Sequence, residues 1–460
     1  MRTKLRLSGR QWLQLRNHLF PADGCEAVAV ALCGRLAGAD PHVLLVHQII
    51  PIPYADCSER TPVRVSWPTS LLVPHLARAM DKNFALVKIH SHPGGYRSFS
   101  ETDDASDGEL FRSVYGWFDG LDPHASVVML PDGEMFGRVV GADGSFEPLA
   151  SIAVAGDDFH FWPGNSNSSV LPAFTQRHAQ VFGKGTTARL RTLSAAVVGC
   201  SGTGSPLIEQ LVRLGIGRLV LIDPDVVEER NLNRILHATM DDAENLRPKV
   251  EVLAREIKRI GLGTDVLPLH RNLVDAEVVR YVAACDVVFG CMDGAEGRNL
   301  LNRLATFYSL PYFDIGVRLD ADGKGGVDQV CGGTHYLQPG GSSLLSRMVI
   351  TPEDIEAESI RRTDPEEYAR KLKAGYIRGV REDRPAVVSV NMHFASLGVN
   401  EFLARLHPYR DDPNGEFAWV SISLTQMHRY TKPDGDPCLR LSRHVGRGDL
   451  VPLLNMPFLS

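Results

Sequence analysis

The sequence predicts an α/β protein in two parts, a mixed α+β domain followed by a domain with a parallel sheet wound between helices. Three observations carry this. The chain has 460 residues, more than one average domain holds. The stretch Pro163–Pro172, PGNSNSSVLP, is small, polar and bounded by prolines, the composition of a linker. Beyond Arg177, short apolar runs alternate with amphipathic ones in the rhythm of strands and covering helices. Domains are therefore expected at 1–160 and 173–405, with a linker at 161–172 and a less regular extension at 406–460.

In the first domain, Ser8 to Leu19 reads as an amphipathic helix and Pro21–Gly24 as a turn. Apolar strands follow at Glu26 to Leu32 and His42–Val46. Pro68 to Met80 reads as a helix, Phe84 to Ile89 as a buried strand running into His90, and Ala105 to Tyr115 as a helix. Ser126 to Leu130 and Met135 to Val140 form a hairpin across Pro131-Asp132-Gly133. In the second domain, strands are expected at Ala195–Val198, Arg218–Ile222, Thr264–Leu269, Val287–Gly290 and Tyr312–Ile315. Helices are expected at Ser205–Leu214, Lys249–Ile260 and Glu296–Tyr308.

Apolar residues make up 44% and charged residues 23%, the balance of a soluble globular protein. A net charge of −6 offers no basic excess to meet phosphate backbones, which argues against a nucleic-acid binder. The eight cysteines form no C-x-x-C pair and read as free thiols of a reducing compartment. MRTKLRLSGRQW lacks the apolar core of a signal peptide, and no apolar run approaches the ~18 residues that span a bilayer. A cytoplasmic protein is expected.

The segment His90-Ser-His92-Pro-Gly-Gly-Tyr-Arg-Ser-Phe-Ser100-Glu-Thr-Asp103 is the first chemical cluster. Side chains alternate on an extended strand, so His90 and His92 point the same way and can share one metal. Asp103, at the start of the next helix, supplies a third ligand. Two imidazoles and a carboxylate leave a fourth tetrahedral position open, the catalytic pattern for zinc. Such a site acidifies water, and a nearby carboxylate must move its proton. A hydroxyl such as Ser100 suits the oxyanion that forms. Asp104 competes with Asp103 as ligand, but spacing favours Asp103.

The second cluster begins at Gly199-Cys-Ser-Gly202-Thr-Gly204-Ser205, between a strand and a helix. Glycines let a backbone approach phosphates, and the helix N-terminus favours their charge. Asp223 ends the next strand, where an acidic residue contacts a ribose. Asn231, Arg234 and Lys249 supply polar and cationic groups suited to a triphosphate, and Asp293 ends a later strand where a Mg²⁺ ligand would sit. The glycines read GxxGxG, which is not the dinucleotide pattern.

The spacing H-x-H-x7-S-x2-D resembles the signature of the JAMM (JAB/MPN) metalloproteases over roughly residues 1–155. That resemblance implies a cytidine-deaminase-like α+β fold, bound zinc, and cleavage after the C-terminus of ubiquitin or ubiquitin-like proteins. It also assigns proton shuttling to Glu26, which opens EAVAVALCG with Ala29 at the small position three residues on. The second ordered set, over roughly 170–405, resembles the ThiF/MoeB/ubiquitin-activating superfamily. Those Rossmann-like enzymes adenylate the C-terminal carboxylate of a ubiquitin-like protein with ATP and Mg²⁺. The resemblance gives Asp223 the ribose, Asn231, Arg234 and Lys249 the phosphates, and Asp293 the magnesium. It makes Arg177 a finger reaching a partner subunit's ATP site, which implies a homodimer; His178 departs from the family's Arg-Gln pair.

Two features of that superfamily are missing. Serines follow Pro339-Gly340-Gly341 where a zinc-binding cysteine pair is usual, so no structural zinc is expected there. Residues 347–400 contain no cysteine for a thioester, and Cys331, Cys291 and Cys200 read as packed thiols. The resemblances together imply a bifunctional enzyme of a bacterial ubiquitin-like pathway, with a ubiquitin-like substrate and a conjugating enzyme as partners. Two alternatives stay open: processing and activation of a sulfur-carrier protein, and a peptidase with a non-catalytic nucleotide-binding docking domain.

Overall fold

A computed structural model describes residues 2–164, 171–374, 376–377 and 385–459. The linker expected at 161–172 falls partly outside them. The chain divides into two compact units. The first takes the described residues of 1–168 with Phe307–Ser309 and His444–Leu454, and the second takes the rest.

The first unit runs β1 (Thr3–Ser8), α1 (Gly9–Leu19), β2 (Val28–Leu36), β3 (His42–Pro51), β4 (Glu59–Thr61), β5 (Arg64–Ser66), α2 (Val73–Asp81), β6 (Ala85–Ser91), α3 (Glu101–Tyr115), β7 (His124–Met129), β8 (Met135–Val140), β9 (Phe146–Pro148), β10 (Ser151–Ala155) and β11 (Phe159–Pro163). Its mixed sheet has the order β11-β10-β1-β3-β2-β6-β7-β8-β9. Every residue of β2 and β6 is buried, because both strands lie mid-sheet with apolar layers on both faces. Leu110, Phe111 and Val114 press α3 onto the face that carries Val30, Leu32 and Leu86. Each such buried side chain contributes about 1.5–3 kcal/mol, which fixes the helix that begins at the chemical cluster. The sequence reading missed β1. Its TKLRLS is short, and its pairing with β3 and β10 comes from chain far away.

A remote segment closes this unit. Gly34 N donates to Gly446 O (3.2 Å) and Asp449 N to Arg35 O (2.8 Å). Asp449 Oδ2 accepts from Ala37 N (3.0 Å), and His47 Nδ1 lies 2.7 Å from Val445 O. Gly446 has φ +64°, and a Cβ there would lie 2.0 Å from Val46 O, so only glycine fits.

The second unit runs α4 (Gln176–Leu190), β12 (Ser194–Val198), α5 (Gly204–Leu214), β13 (Arg218–Ile222), α6 (Met240–Glu244), α7 (Lys249–Ile260), β14 (Asp265–Leu269), α8 (Ala276–Ala283), β15 (Val287–Gly290), α9 (Ala295–Phe307), β16 (Tyr312–Ala321), β17 (Val327–Leu337), α10 (Pro352–Thr363), α11 (Pro365–Lys373), α12 (Val388–Leu406), β18 (Trp419–Ser423) and β19 (His428–Lys432). The sheet order is β14-β13-β12-β15-β16-β17-β18-β19, parallel through β16 and antiparallel beyond. After β12 the chain goes first to β13 on one side and later to β15 on the other. The glycine turn at the end of β12 therefore sits at the switch point, where open α/β sheets leave a crevice. Gly199 has φ +92°, and a Cβ on Gly204 would lie 1.9 Å from Gly199 O. The stretch read as less regular after Leu406 in fact contributes β18 and β19. Their pairing with β17 supplies the order that local pattern does not signal.

Candidate functional site

The first site forms where β6 meets α3. His90 and His92 leave β6 on one side and are both buried. Asp103 reaches back from the first turn of α3, one Oδ1 at 3.0 Å from His90 Nε2 and the other oxygen at 3.6 Å from His92 Nε2. The two Nε2 atoms are 3.2 Å apart. Ligands about 2.0–2.1 Å from a tetrahedral zinc stand roughly 3.3 Å from one another, so these spacings fit the ion. His92 Nδ1 lies 2.8 Å from Tyr96 O, which makes Nδ1 the protonated nitrogen and leaves Nε2 free to ligate.

Local capping explains where Asp103 points. Ser100 is the N-cap of α3: its Oγ accepts from Asp103 N (3.2 Å), while Ser100 N donates to Asp103 Oδ2 (2.8 Å). The Ser100 hydroxyl also donates to Asp103 Oδ2 (2.7 Å), so its proton is committed to the carboxylate here. Asp104 pairs with Arg138 instead and is turned away from the histidines. One turn on, the fully buried Asp107 takes Lys88 Nζ (2.7 Å) and Arg138 Nη2 (2.7 Å), tying α3 to β6 and β8. Sequence reasoning missed this group, since its members are far apart in the chain.

Glu26 lies in the loop entering β2 and is 7% exposed. Its main chain is held on both sides: Glu26 N donates to Thr61 O (2.8 Å), and Arg60 Nε donates to Glu26 O (3.0 Å). Ala27 N donates to Ser91 Oγ (3.0 Å), which ties Glu26 to the residue between the two histidines. Burial pushes the Glu26 carboxyl up to about 7; Asp103 reinforces the rise, while His92 and Lys88 oppose it. Burial would also raise Asp103, but the hydrogen bonds from His90 and His92 outweigh it and hold that carboxyl far below the usual range. Burial lowers His90. For His92, burial is outweighed by Asp103 and the Tyr96 carbonyl, which raise it.

The second site is a cavity of about 1140 Å³ at the end of β12. Gly199, Asp223, Asn231, Arg234, Lys249 and Asp293 all line it. Gly202 and Gly204 do not; they shape the turn from behind, and the Arg234 stem and Asn391 pack where a Gly202 side chain would be. Asp223 accepts from Cys200 N (2.7 Å) and Asp225 N (2.9 Å), and burial raises its carboxyl despite the nearby Lys249. Lys249 Nζ lies 2.7 Å from Asp225. Asn231 Oδ1 accepts from Glu228 N (3.2 Å), and Arg234 donates to Arg230 O (2.8 Å). Arg177 is exposed on α4, bonded to Gln180, and does not line this cavity. Sequence reasoning missed Asn391, whose Nδ2 donates to Thr203 Oγ1 (3.0 Å), and the α10 wall.

At the expected cysteine-pair position, Ser343 and Ser346 cap each other, N to Oγ, at 2.8 and 3.1 Å. Burial raises the thiols of Cys200, Cys291 and Cys331 above the ordinary cysteine range.

Residues 175–434 match the ThiF family, and residues 10–136 match the prokaryotic homologs of the JAB domain. Over 123 residues the chain is 35% identical to the SAMP-activating enzyme E1 of Haloferax volcanii, covering 27% of this chain and 45% of that protein. It is 29% identical over 188 residues to ubiquitin-like modifier-activating enzyme 5 of Aedes aegypti (38% and 45%). It is 35% identical over 123 residues to the adenylyltransferase and sulfurtransferase MOCS3 of Danio rerio (26% of each). The matches thus span less than half the length of these relatives. A solved structure of MccB from E. coli is similar at 18% identity, covering 61% of this chain and 77% of that chain with a TM-score of 0.46. Among the described residues, no helix is long and apolar enough to cross a membrane.

Proposed function

The chain belongs to the ThiF family, with a JAB-type domain ahead of the family's adenylation domain, and we propose that it both cleaves after and adenylates the C-terminus of a ubiquitin-like protein. The observation that carries this reading is the convergence of His90, His92 and Asp103 beside the buried Glu26, on one chain with a cavity lined by the ATP-pattern residues. His90, His92 and Asp103 would hold zinc, whose chemistry is Lewis acidity toward water and a carbonyl. Glu26 takes the proton of the attacking water as the carbon–oxygen bond forms, and returns it to the leaving nitrogen as the carbon–nitrogen bond breaks. The Ser100 hydroxyl turns from Asp103 to steady the oxyanion.

In the second unit the freed carboxylate attacks the α-phosphorus of ATP and pyrophosphate leaves. Asp223 orients the ribose and Asn231, Arg234 and Lys249 hold the phosphates, with Asp293 as the magnesium ligand. Arg177 acts on a second copy's cavity, which makes the active form a homodimer. Cys200 is buried and Cys291 half-buried, and burial raises both thiols, which favours a second reading in which the chain stops at the acyl-adenylate of a sulfur carrier and hands it on.

The test is a ubiquitin-like protein carrying a C-terminal extension, assayed for cleavage and then for ATP–pyrophosphate exchange. Glu26→Ala is expected to abolish cleavage with zinc content near one per chain and exchange intact. Asp293→Ala is expected to abolish exchange and spare cleavage. Normal cleavage by Glu26→Ala, or normal exchange by Asp293→Ala, rejects the corresponding assignment.

A further inference from the structure

The motif residues are only part of the lining of the nucleotide cavity. Helix α10 contributes Glu358, Arg361 and Arg362 as well. Two of these anchor the helix. Arg362 makes a two-pronged pair with Glu296, Nε to Oε2 at 3.0 Å and Nη2 to Oε1 at 2.7 Å. Glu358 Oε2 accepts from Glu296 N at 2.9 Å, at the start of α9. A Cβ on Gly294 would lie 2.9 Å from the same oxygen, so α10 sits tightly against the loop that follows Asp293. This is the phosphate end of the cavity if Asp293 holds the magnesium and Asp223 the ribose.

Charge gives the third residue its meaning. Six carboxylates and five cations line the cavity, and two of the five cations are Arg361 and Arg362. Of these cations, Lys249 is paired with Asp225, Arg362 with Glu296 and Arg230 with Glu228, and the Arg361 guanidinium lies 6.0 Å from the Tyr368 ring. A polyphosphate entering this cavity meets more fixed negative than positive charge, and every cation at its β–γ end counts. We propose that Arg361 binds the β- and γ-phosphates of the nucleotide in cis, from the helix packed against the loop that follows Asp293. Arg362, through Glu296, is the positioning residue that keeps α10 there. The proposal rests on the reading of the cavity as an ATP site and names a contact outside its sequence pattern.

Equilibrium titration of the full chain with Mg·ATP and, separately, with AMP tests it. Arg361→Ala is expected to weaken ATP about 10- to 100-fold, the loss that follows removal of a charge-assisted contact. Its AMP affinity is expected to stay within twofold and its melting temperature unchanged, since the side chain is exposed. Arg361→Lys is expected to recover part of the ATP affinity. Equal loss of ATP and AMP binding, or no loss of either, overturns the proposal. Failure of the unmodified chain to bind ATP overturns the ATP reading itself and this contact with it.

Discussion

Glu26→Gln is expected to stabilise the metal-free first unit at pH 8 and leave it nearly unchanged near pH 4.5. Burial raises the folded-state carboxyl from 4.5 to about 7. Below the unfolded value the side chain is neutral in both states, and glutamine mimics it. Between the two values the folded state holds the extra proton, so stability falls as pH rises, and the loss is complete above the folded value. A shift of ~2.5 pH units corresponds to at most about 3.5 kcal/mol at ~1.4 kcal/mol per unit. Local relaxation and water penetration around a buried charge reduce this to about 1–2 kcal/mol. With a urea slope of about 1–3 kcal/mol per molar, the midpoint of the glutamine variant should rise by roughly 0.5–1 M at pH 8. Four of the five tryptophans, Trp12, Trp67, Trp117 and Trp162, belong to the first unit, so tryptophan fluorescence follows its unfolding. Parallel midpoints for both proteins from pH 4.5 to 8 would mean that Glu26 is solvated, and the poised general base would have to be abandoned.

Two further variants test what holds that unit together. Asp107→Asn strands the cations of Lys88 and Arg138 in a buried place, so the fluorescence transition should lose about 3–5 kcal/mol; a loss under ~1 kcal/mol would show that water relieves the pair. Gly446→Val forces a branched residue into the left-handed region against Val46 O, costing at least about 1–3 kcal/mol. That loss should appear in the same tryptophan signal, and an unchanged midpoint would mean that the 444–454 segment is not part of the folded unit.

Much of the site chemistry was legible because it is local. Strand alternation puts His90 and His92 on one side, and the S-x-x-D capping pattern turns Asp103 toward them. The glycine turn after Val198, and Asp223 at the end of the next strand, follow from turn and strand patterns within a few tens of residues. What escaped were partners with no local signal. Arg60 clamps the Glu26 backbone from a separate hairpin, and Ser91 bonds Ala27 across 64 positions. Asp107 has no local signal that sets it apart from the other acidic residues of its helix, yet it is fully buried between two cations.

The sequence by itself determined which residues are candidates for a metal and for a nucleotide, because spacing along a strand or cap fixes direction within a turn or two. Only the tertiary structure decided how they are held and charged. It alone raises Glu26 to about 7, sends Asp104 to Arg138 rather than to the histidines, brings α10 to the cavity that Gly199 lines, and returns the 444–454 segment to the first unit. Burial and long-range pairing depend on which distant strands become neighbours, and no short stretch of sequence carries that information.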